Sequence, residues 1–353
     1  MGYGEWFRCG ERAFGAQEVL SAADFRGELA PVRADIRDSL ACAAFAEEQG
    51  YALDEAVLQA LSEQYRTAHG LESADATAQW LQARGVDLDD FGEYLERALW
   101  RHRFGDSLDA IRGDYAAPED DVAPLVWPEV VFADAAHDLA RWLARRAALW
   151  VELGGAPVLD DEAVEAERKR FIERHDGVVD AVEAWCARNK CTAPWFEELA
   201  RLEAAYRQKR RALLTPENFD REMLLRRQDL MCVEVETAAF PTAAVAQEAY
   251  LCVAEDGEPL ADVSARAART AYHAAVFLEG LSEDLQRRLL SASPGETFPP
   301  VADGEEYWVY HVCRKMEPDT GDAEVRRRLE HALITKYFDQ LVDKHVDWCS
   351  QAG

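Results

Sequence analysis

The order of apolar runs in the last third of the chain, roughly Asp229 to Trp348, constrains the fold more than any other feature. Leu230-Met231-Cys232-Val233-Glu234-Val235-Glu236 reads as a strand, and helical periodicity follows from about Thr242 to Glu255. A second strand, Glu306-Tyr307-Trp308-Val309-Tyr310-His311-Val312-Cys313-Arg314, leads into a long helix that starts basic and turns apolar. Strands of this kind bury their apolar residues only by pairing and by packing under helices. The runs therefore predict one small mixed sheet near the C-terminus. In it the opening strand and the Tyr307–Arg314 strand are neighbours, with the Thr242–Glu255 helix against one face.

Upstream the chain reads as helix, and two stretches align. Asp54-Glu55-Ala56-Val57 followed by Gly70 matches Asp161-Glu162-Ala163-Val164 followed by Gly177. After a two-residue deletion, Trp80 matches Trp185, Phe91 matches Phe196 and Glu93 matches Glu198. Ala22-Ala23-Asp24-Phe25 and Phe132-Ala133-Asp134-Ala135 each read as opening a helix, about Ala22–Glu48 and Asp134–Leu153. A second helix is capped by Asp54, or by Asp160 or Asp161, whose side-chain oxygens suit free amides and the helix dipole. A third carries Trp80 or Trp185 as a packing anchor, and a fourth spans Leu88–Phe104 or Ala193–Leu214. A duplication requires the two tryptophans to occupy equivalent buried positions. The acidic, proline-bounded segment Pro118–Pro124 reads as the linker, and Thr215-Pro216 marks a second boundary. The expected domains are 1–117, 118–215 and 216–353.

The chain has 353 residues, of which 49% are apolar, which is enough for two or three cores. Its 39 basic and 67 acidic residues give a formal charge of −28. Such a surface repels phosphate backbones and anionic lipid, so neither nucleic acid nor membrane is an expected partner. No apolar run reaches the length of a bilayer span, and Met1-Gly2-Tyr3-Gly4-Glu5-Trp6 lacks the features of a signal peptide. The expected location is cytoplasmic. Eight cysteines without a C-x-x-C pair then read as small buried hydrophobes. Cys186 and Cys191 flank the basic turn Arg188-Asn189-Lys190, a setting that can lower a thiol pKa. His345 with Cys349 and His311 with Cys313 supply only two ligands each, so no metal or other cofactor is expected. Arg326-Arg327-Arg328 stands near a helix start, the unfavourable end of the dipole, and calls for acidic partners.

Between the two strands lie Gly257-Glu258-Pro259-Leu260-Ala261-Asp262-Val263 and Ser293-Pro294-Gly295-Glu296-Thr297-Phe298-Pro299-Pro300-Val301. Strand, helix, these two motifs, closing strand and returning helix together resemble the parvulin family of peptidyl-prolyl isomerases over about a third of the chain. The upstream helices resemble the SurA-like chaperone modules that accompany parvulin domains. The resemblance implies an α+β, mostly α, fold: SurA-like helical modules followed by a small parvulin-like sheet with flanking helices. It also implies binding of extended polypeptide.

Family chemistry pairs histidines on the central strands with a Cys or Asp. The opening strand has no histidine, and Cys232 is its only comparable side chain. In the closing strand, matching aromatic-then-His puts His311 on the motif. Counting back from the strand end puts Trp308 or Val309 there instead, which agrees better with the spacing from Pro294-Gly295 to Pro300-Val301. The family's Ser/Gly-rich flap is missing. The resemblance thus implies peptide binding without catalysis, through Cys232, Phe277, Tyr307, Val309 and His311. The alternative is an active cytoplasmic prolyl isomerase and general chaperone, with His311 and Cys232 as its polar pair. The closing segment Pro299–Pro318 is also similar to that of degenerate parvulin-like accessory factors of peptide natural-product maturation. That implies a precursor peptide or a modifying enzyme as partner, beside unfolded polypeptide generally.

Overall fold

A computed structural model describes residues 4–155, 157–175 and 181–349. The chain opens on a hairpin of β1 (Glu5–Cys9) and β2 (Arg12–Gly15). Helices α1 (Ala16–Phe25) and α2 (Ala30–Glu48) follow, where the sequence suggests one helix from Ala22. The break has a local cause. Gly27 takes φ +79°, the amides of Gly27 and Glu28 bond back to Asp24 and Ala23, and Pro31 then starts α2. Next come α3 (Glu55–Ala68), α4 (Ala74–Arg84) and α5 (Leu88–Phe104), capped by the side chains of Asp54, Ser73 and Asp87. Short helices α6 (Leu108–Ile111) and α7 (Glu119–Val122) follow. Pro118–Pro124 is therefore no free linker: Glu119 of α7 binds both Arg33 and Arg37. The second helical set is α8 (Val126–Phe132), α9 (Ala136–Glu152), α10 (Asp161–Arg174, capped by Asp160), α11 (Ala181–Arg188) and α12 (Ala193–Leu213).

Beyond α12, Thr215 caps α13 (Pro216–Leu225). Then come β3 (Cys232–Phe240), α14 (Ala243–Ala254), α15 (Leu260–Arg266), β4 (Tyr272–Phe277) and α16 (Glu283–Ser291). The last elements are β5 (Thr297–Asp303), β6 (Glu306–Met316), α17 (Ala323–His345) and β7 (Val346–Trp348). Four strands form a sheet in the order β4-β3-β6-β5, so the opening and closing strands are neighbours as expected. Every pairing is antiparallel, which corrects the expected mixed sheet. The helices α14 and α15 return the chain to the end of β3 that it left, so Tyr272 lies opposite Thr237 and β4 runs back. Gly304, at φ +60°, turns β5 directly into β6. No helix among the described residues is long and apolar enough to cross a membrane.

The chain forms two compact units, Met1–Arg210 with Lys336–Gly353, and Arg211–Thr335. In the first, β7 adds to β1 to give the sheet β2-β1-β7. Two aromatic clusters organise its helices. Tyr65, Trp80 and Phe91 surround Phe132, with ring centroids 6.2, 6.0 and 5.3 Å away. Phe171, Trp185 and Phe196 surround Phe25 at 5.3, 6.2 and 5.4 Å. His69 stacks on Tyr65, and His175 lies tilted against Phe171 at 4.3 Å, each one turn further along its helix. Phe25 and Phe132 close helices rather than open them, and each is followed two residues later by a left-handed residue, Gly27 or Asp134. The two tryptophans thus hold corresponding places, though Trp185 is buried while Trp80 is half-buried, with the Arg84 guanidinium 4.2 Å above its ring. Gly177, matched to Gly70 by sequence, lies outside the described residues. Between α9 and α12, Arg146 and Glu203 form a buried ion pair. Burial alone raises the Glu203 carboxyl, but Arg146 and Arg26 outweigh it and hold the group below the usual carboxylate range.

Candidate functional site

Strand register in the second unit assigns each side chain of the sheet to a face. Cys232 lies opposite Phe277, Val309 opposite Ala238, Tyr307 opposite Phe240 and His311 opposite Glu236. All five residues singled out from the sequence therefore share one face. They do not converge on an open site. Tyr307 and Val309 pack with Ala238, Phe240, Leu260 and Val263 beneath α14 and α15. At the other end Phe277 packs with Phe219 of α13 and with Val325 and Leu329 of α17, and the Arg328 guanidinium lies 4.1 Å from its ring. Cys232 beside it is buried, which pushes its thiol above the usual value. His311 stands between these ends, half-buried, its Nδ1 2.9 Å from the Thr297 hydroxyl. Cys232 and His311 are four register positions apart along β3, about 13 Å at roughly 3.3 Å per residue. One prolyl bond cannot meet both.

The opposite face is apolar and partly open. Val233, Val235 and Val312 pack with Leu289 of α16. On the same face Tyr272, Thr237, Tyr310 and Phe298 form one row across all four strands, with Phe298 buried in the Leu289 cluster and Tyr310 half-buried against it. Trp308 stands in the next row, opposite Ala239 and Val301. Phe298 and Tyr310 stack at 5.4 Å, Trp308 lies 6.5 Å from Tyr310, and Tyr272 is 60% exposed. Burial, reinforced by Asp303, raises the Tyr310 phenol. At the centre of the row the Thr237 hydroxyl is buried without a hydrogen-bond partner. The rings of this face that reach solvent, Tyr272 and Trp308, suit apolar side chains, while the Thr237 hydroxyl lies beneath the surface. The signal for it in the sequence is alternation: Trp308, Tyr310 and Val312 share one face, Tyr307, Val309 and His311 the other.

Other candidates resolve into structure. Burial and the neighbouring Cys186 push the Cys191 thiol up to about 12, the reverse of the activation suggested by its basic turn. His345 Nε2 lies 2.6 Å from Glu152, and the Cys349 thiol donates to the Glu5 carboxylate at 3.7 Å, so these two do not share a site. Cys252, Asp256 and Glu258 are the one group of three among the described residues whose donor atoms converge, and Arg266 already pairs with Glu258. The Arg326–Arg328 run finds its acidic partners in Glu324 and Glu279, and Arg326 lies over Phe219.

No family model and no curated protein matches the chain. Several solved structures do. The peptidylprolyl isomerase PrsA from Bacillus cereus is similar over 60% of this chain and 81% of its own, at 14% identity and a TM-score of 0.40. PrsA from Bacillus subtilis is similar over 63% and 84%, at 12% identity and a TM-score of 0.21. A structure of the SurA-like chaperones PEB4 and Cj1289 of Campylobacter jejuni is similar over 62% and 89%, at 9% identity and a TM-score of 0.20. Similarity at this level carries no argument about activity, which rests on the residues themselves.

Proposed function

We propose that the second unit binds extended, apolar-rich polypeptide without catalysing prolyl isomerisation, and that the protein acts as a chaperone-like accessory factor. The observation that carries this reading is the row Tyr272–Thr237–Tyr310–Phe298 with Trp308 beside it. Aromatic rings offer large contact area at low entropic cost, and Tyr272 and Trp308 present theirs to solvent. The separation of Cys232 from His311 speaks against the catalytic alternative. In its narrower form the ligand is a precursor peptide, or an enzyme that modifies one, a choice supported by the likeness of Pro299–Pro318 to peptide-maturation accessories.

Fluorescence anisotropy with labelled, reduced and carboxymethylated lactalbumin tests the general reading. Trp308→Ala or Tyr310→Ala should weaken binding by about 5- to 30-fold, the range of an aromatic anchor. Equal binding by both variants would overturn the assignment of the site. For the narrower reading, a precursor-sized reading frame beside tailoring enzymes is the expected neighbourhood. Capture of many unrelated unfolded proteins with no preference for such a precursor would count against it.

A further inference from the structure

The strand order leaves two edges in the sheet of the second unit, and they are built differently. β5 carries Pro299 and Pro300, which have no N–H, and its register against β6 is interrupted between Phe298 and Val301. Helix α14 also packs against β5. Prolines, irregular register and a covering helix are the means by which proteins prevent strand addition. β4 has neither proline nor irregular register, and helices α13 and α17 meet it only at its last residue, Phe277. Tyr272–Phe277 contains no proline or lysine, its register against β3 runs unbroken over all six residues, and Tyr272, His273 and Ala275 are exposed. In an antiparallel pair alternate N–H and C=O groups point away from the partner strand. Among the described residues no strand pairs with that outer side of β4.

We infer that the free edge of β4 takes an extended polypeptide segment as a fifth strand. This rests on the polypeptide-binding reading above and specifies how the ligand is held. The chemistry of the edge selects its occupant: a row of backbone donors and acceptors is matched only by another backbone whose own groups are free. Ala274 and Ala275 at the middle of β4 leave room for larger side chains on the incoming strand. Successive ligand residues then alternate between Tyr272, Ala274 and Val276 on the aromatic face and His273 and Ala275 on the other. The ligand class is therefore a segment of alternating apolar and polar residues. Main-chain bonds supply much of the affinity, so many sequences are accepted.

The test uses the full chain and a fluorescein-labelled dodecapeptide of alternating valine and threonine with lysines at both ends. A second peptide has the same side chains but is N-methylated at every central residue. The unmodified peptide should bind and the methylated one should bind at least tenfold more weakly. On the protein side, Ala274→Pro and Ala275→Pro remove adjacent N–H groups, which point to opposite edges. The variant that keeps the wild-type thermal melt should lose binding of the unmodified peptide by at least tenfold. Equal binding of both peptides would overturn the edge assignment while leaving polypeptide binding intact. Failure of the wild type to bind either the peptide or carboxymethylated lactalbumin would overturn both. A dimer by light scattering that the folded proline variant dissociates, with peptide binding unchanged, would assign the edge to a second copy of the chain and reject the inference.

Discussion

Phe25 of α1 and Phe132 of α8 hold matching places in the two aromatic clusters of the first unit, Phe25 among rings of the second helical set and Phe132 among rings of the first. Phe25 ends α1, ahead of the first helical set, yet its ring packs with Phe171, Trp185 and Phe196 of the second. Phe132 ends α8, the first helix of the second set, and packs with Tyr65, Trp80 and Phe91 of the first. Truncating either ring should cost about 3–5 kcal/mol, as for a buried phenylalanine. The exchange predicts where the damage appears. In protein labelled with 5-fluorotryptophan, Phe25→Ala should shift the fluorine resonance of Trp185, and Phe132→Ala that of Trp80. A shift of Trp80 rather than Trp185 in Phe25→Ala, or of Trp185 rather than Trp80 in Phe132→Ala, would contradict the exchange.

Arg146 and Glu203 predict an asymmetry between breaking and replacing a buried pair. Glu203→Gln leaves Arg146 buried without its counter-charge and should cost about 3–5 kcal/mol in urea unfolding. Replacing both with leucine should recover much of that loss, because the desolvation of two charges disappears along with their attraction. A double variant as unstable as the single one would mean that the pair's wider contacts, including Arg26, dominate.

Acid sensitivity should begin above the carboxylate range. Burial lowers the His175 imidazole below its ordinary value despite the opposing field of Asp24, and its Nε2 is buried without a partner. Folding therefore favours the neutral ring. That contribution is complete above about pH 6.5 and is lost as pH falls through the lower folded value. Urea midpoints at pH 7.5 and 5.5 should differ in the wild type, and His175→Gln should reduce the difference. Glu203, also lowered, adds acid loss of the same sign only below the ordinary carboxylate value, about 4.3.

A protease-coupled prolyl assay should show no acceleration by the wild type and no change in His311→Ala. Acceleration that His311→Ala abolishes would establish the isomerase alternative in spite of the distance to Cys232.

Local chemistry was the most legible part of the chain. The caps Asp54 and Asp160, the helix Leu88–Phe104 and the neighbouring central strands follow from side chains acting within a few residues. Apolar periodicity runs through the break after Phe25, and only the left-handed Gly27 forces the turn. The exchange of Phe25 and Phe132 was hidden for a different reason. Periodicity states that a helix face is buried, and is silent on which helix buries it. On the sheet, the histidine of the closing strand marks one set of alternate residues, and the intervening set, Trp308 and Tyr310, carries the aromatic row.

Phe7 of β1 faces Trp348 of β7, and the Cys349 amide bonds to the Trp6 carbonyl at 3.0 Å. The first unit therefore stays unfinished until almost all of the residues described here have left the ribosome, whatever its early helices have done by then. The same suture acts after synthesis. A single protease cut anywhere between Arg211 and Thr335 would sever the backbone but leave both fragments gripped by a shared three-stranded sheet. On a gel under denaturing conditions such a molecule is two pieces, and in solution it still migrates as one.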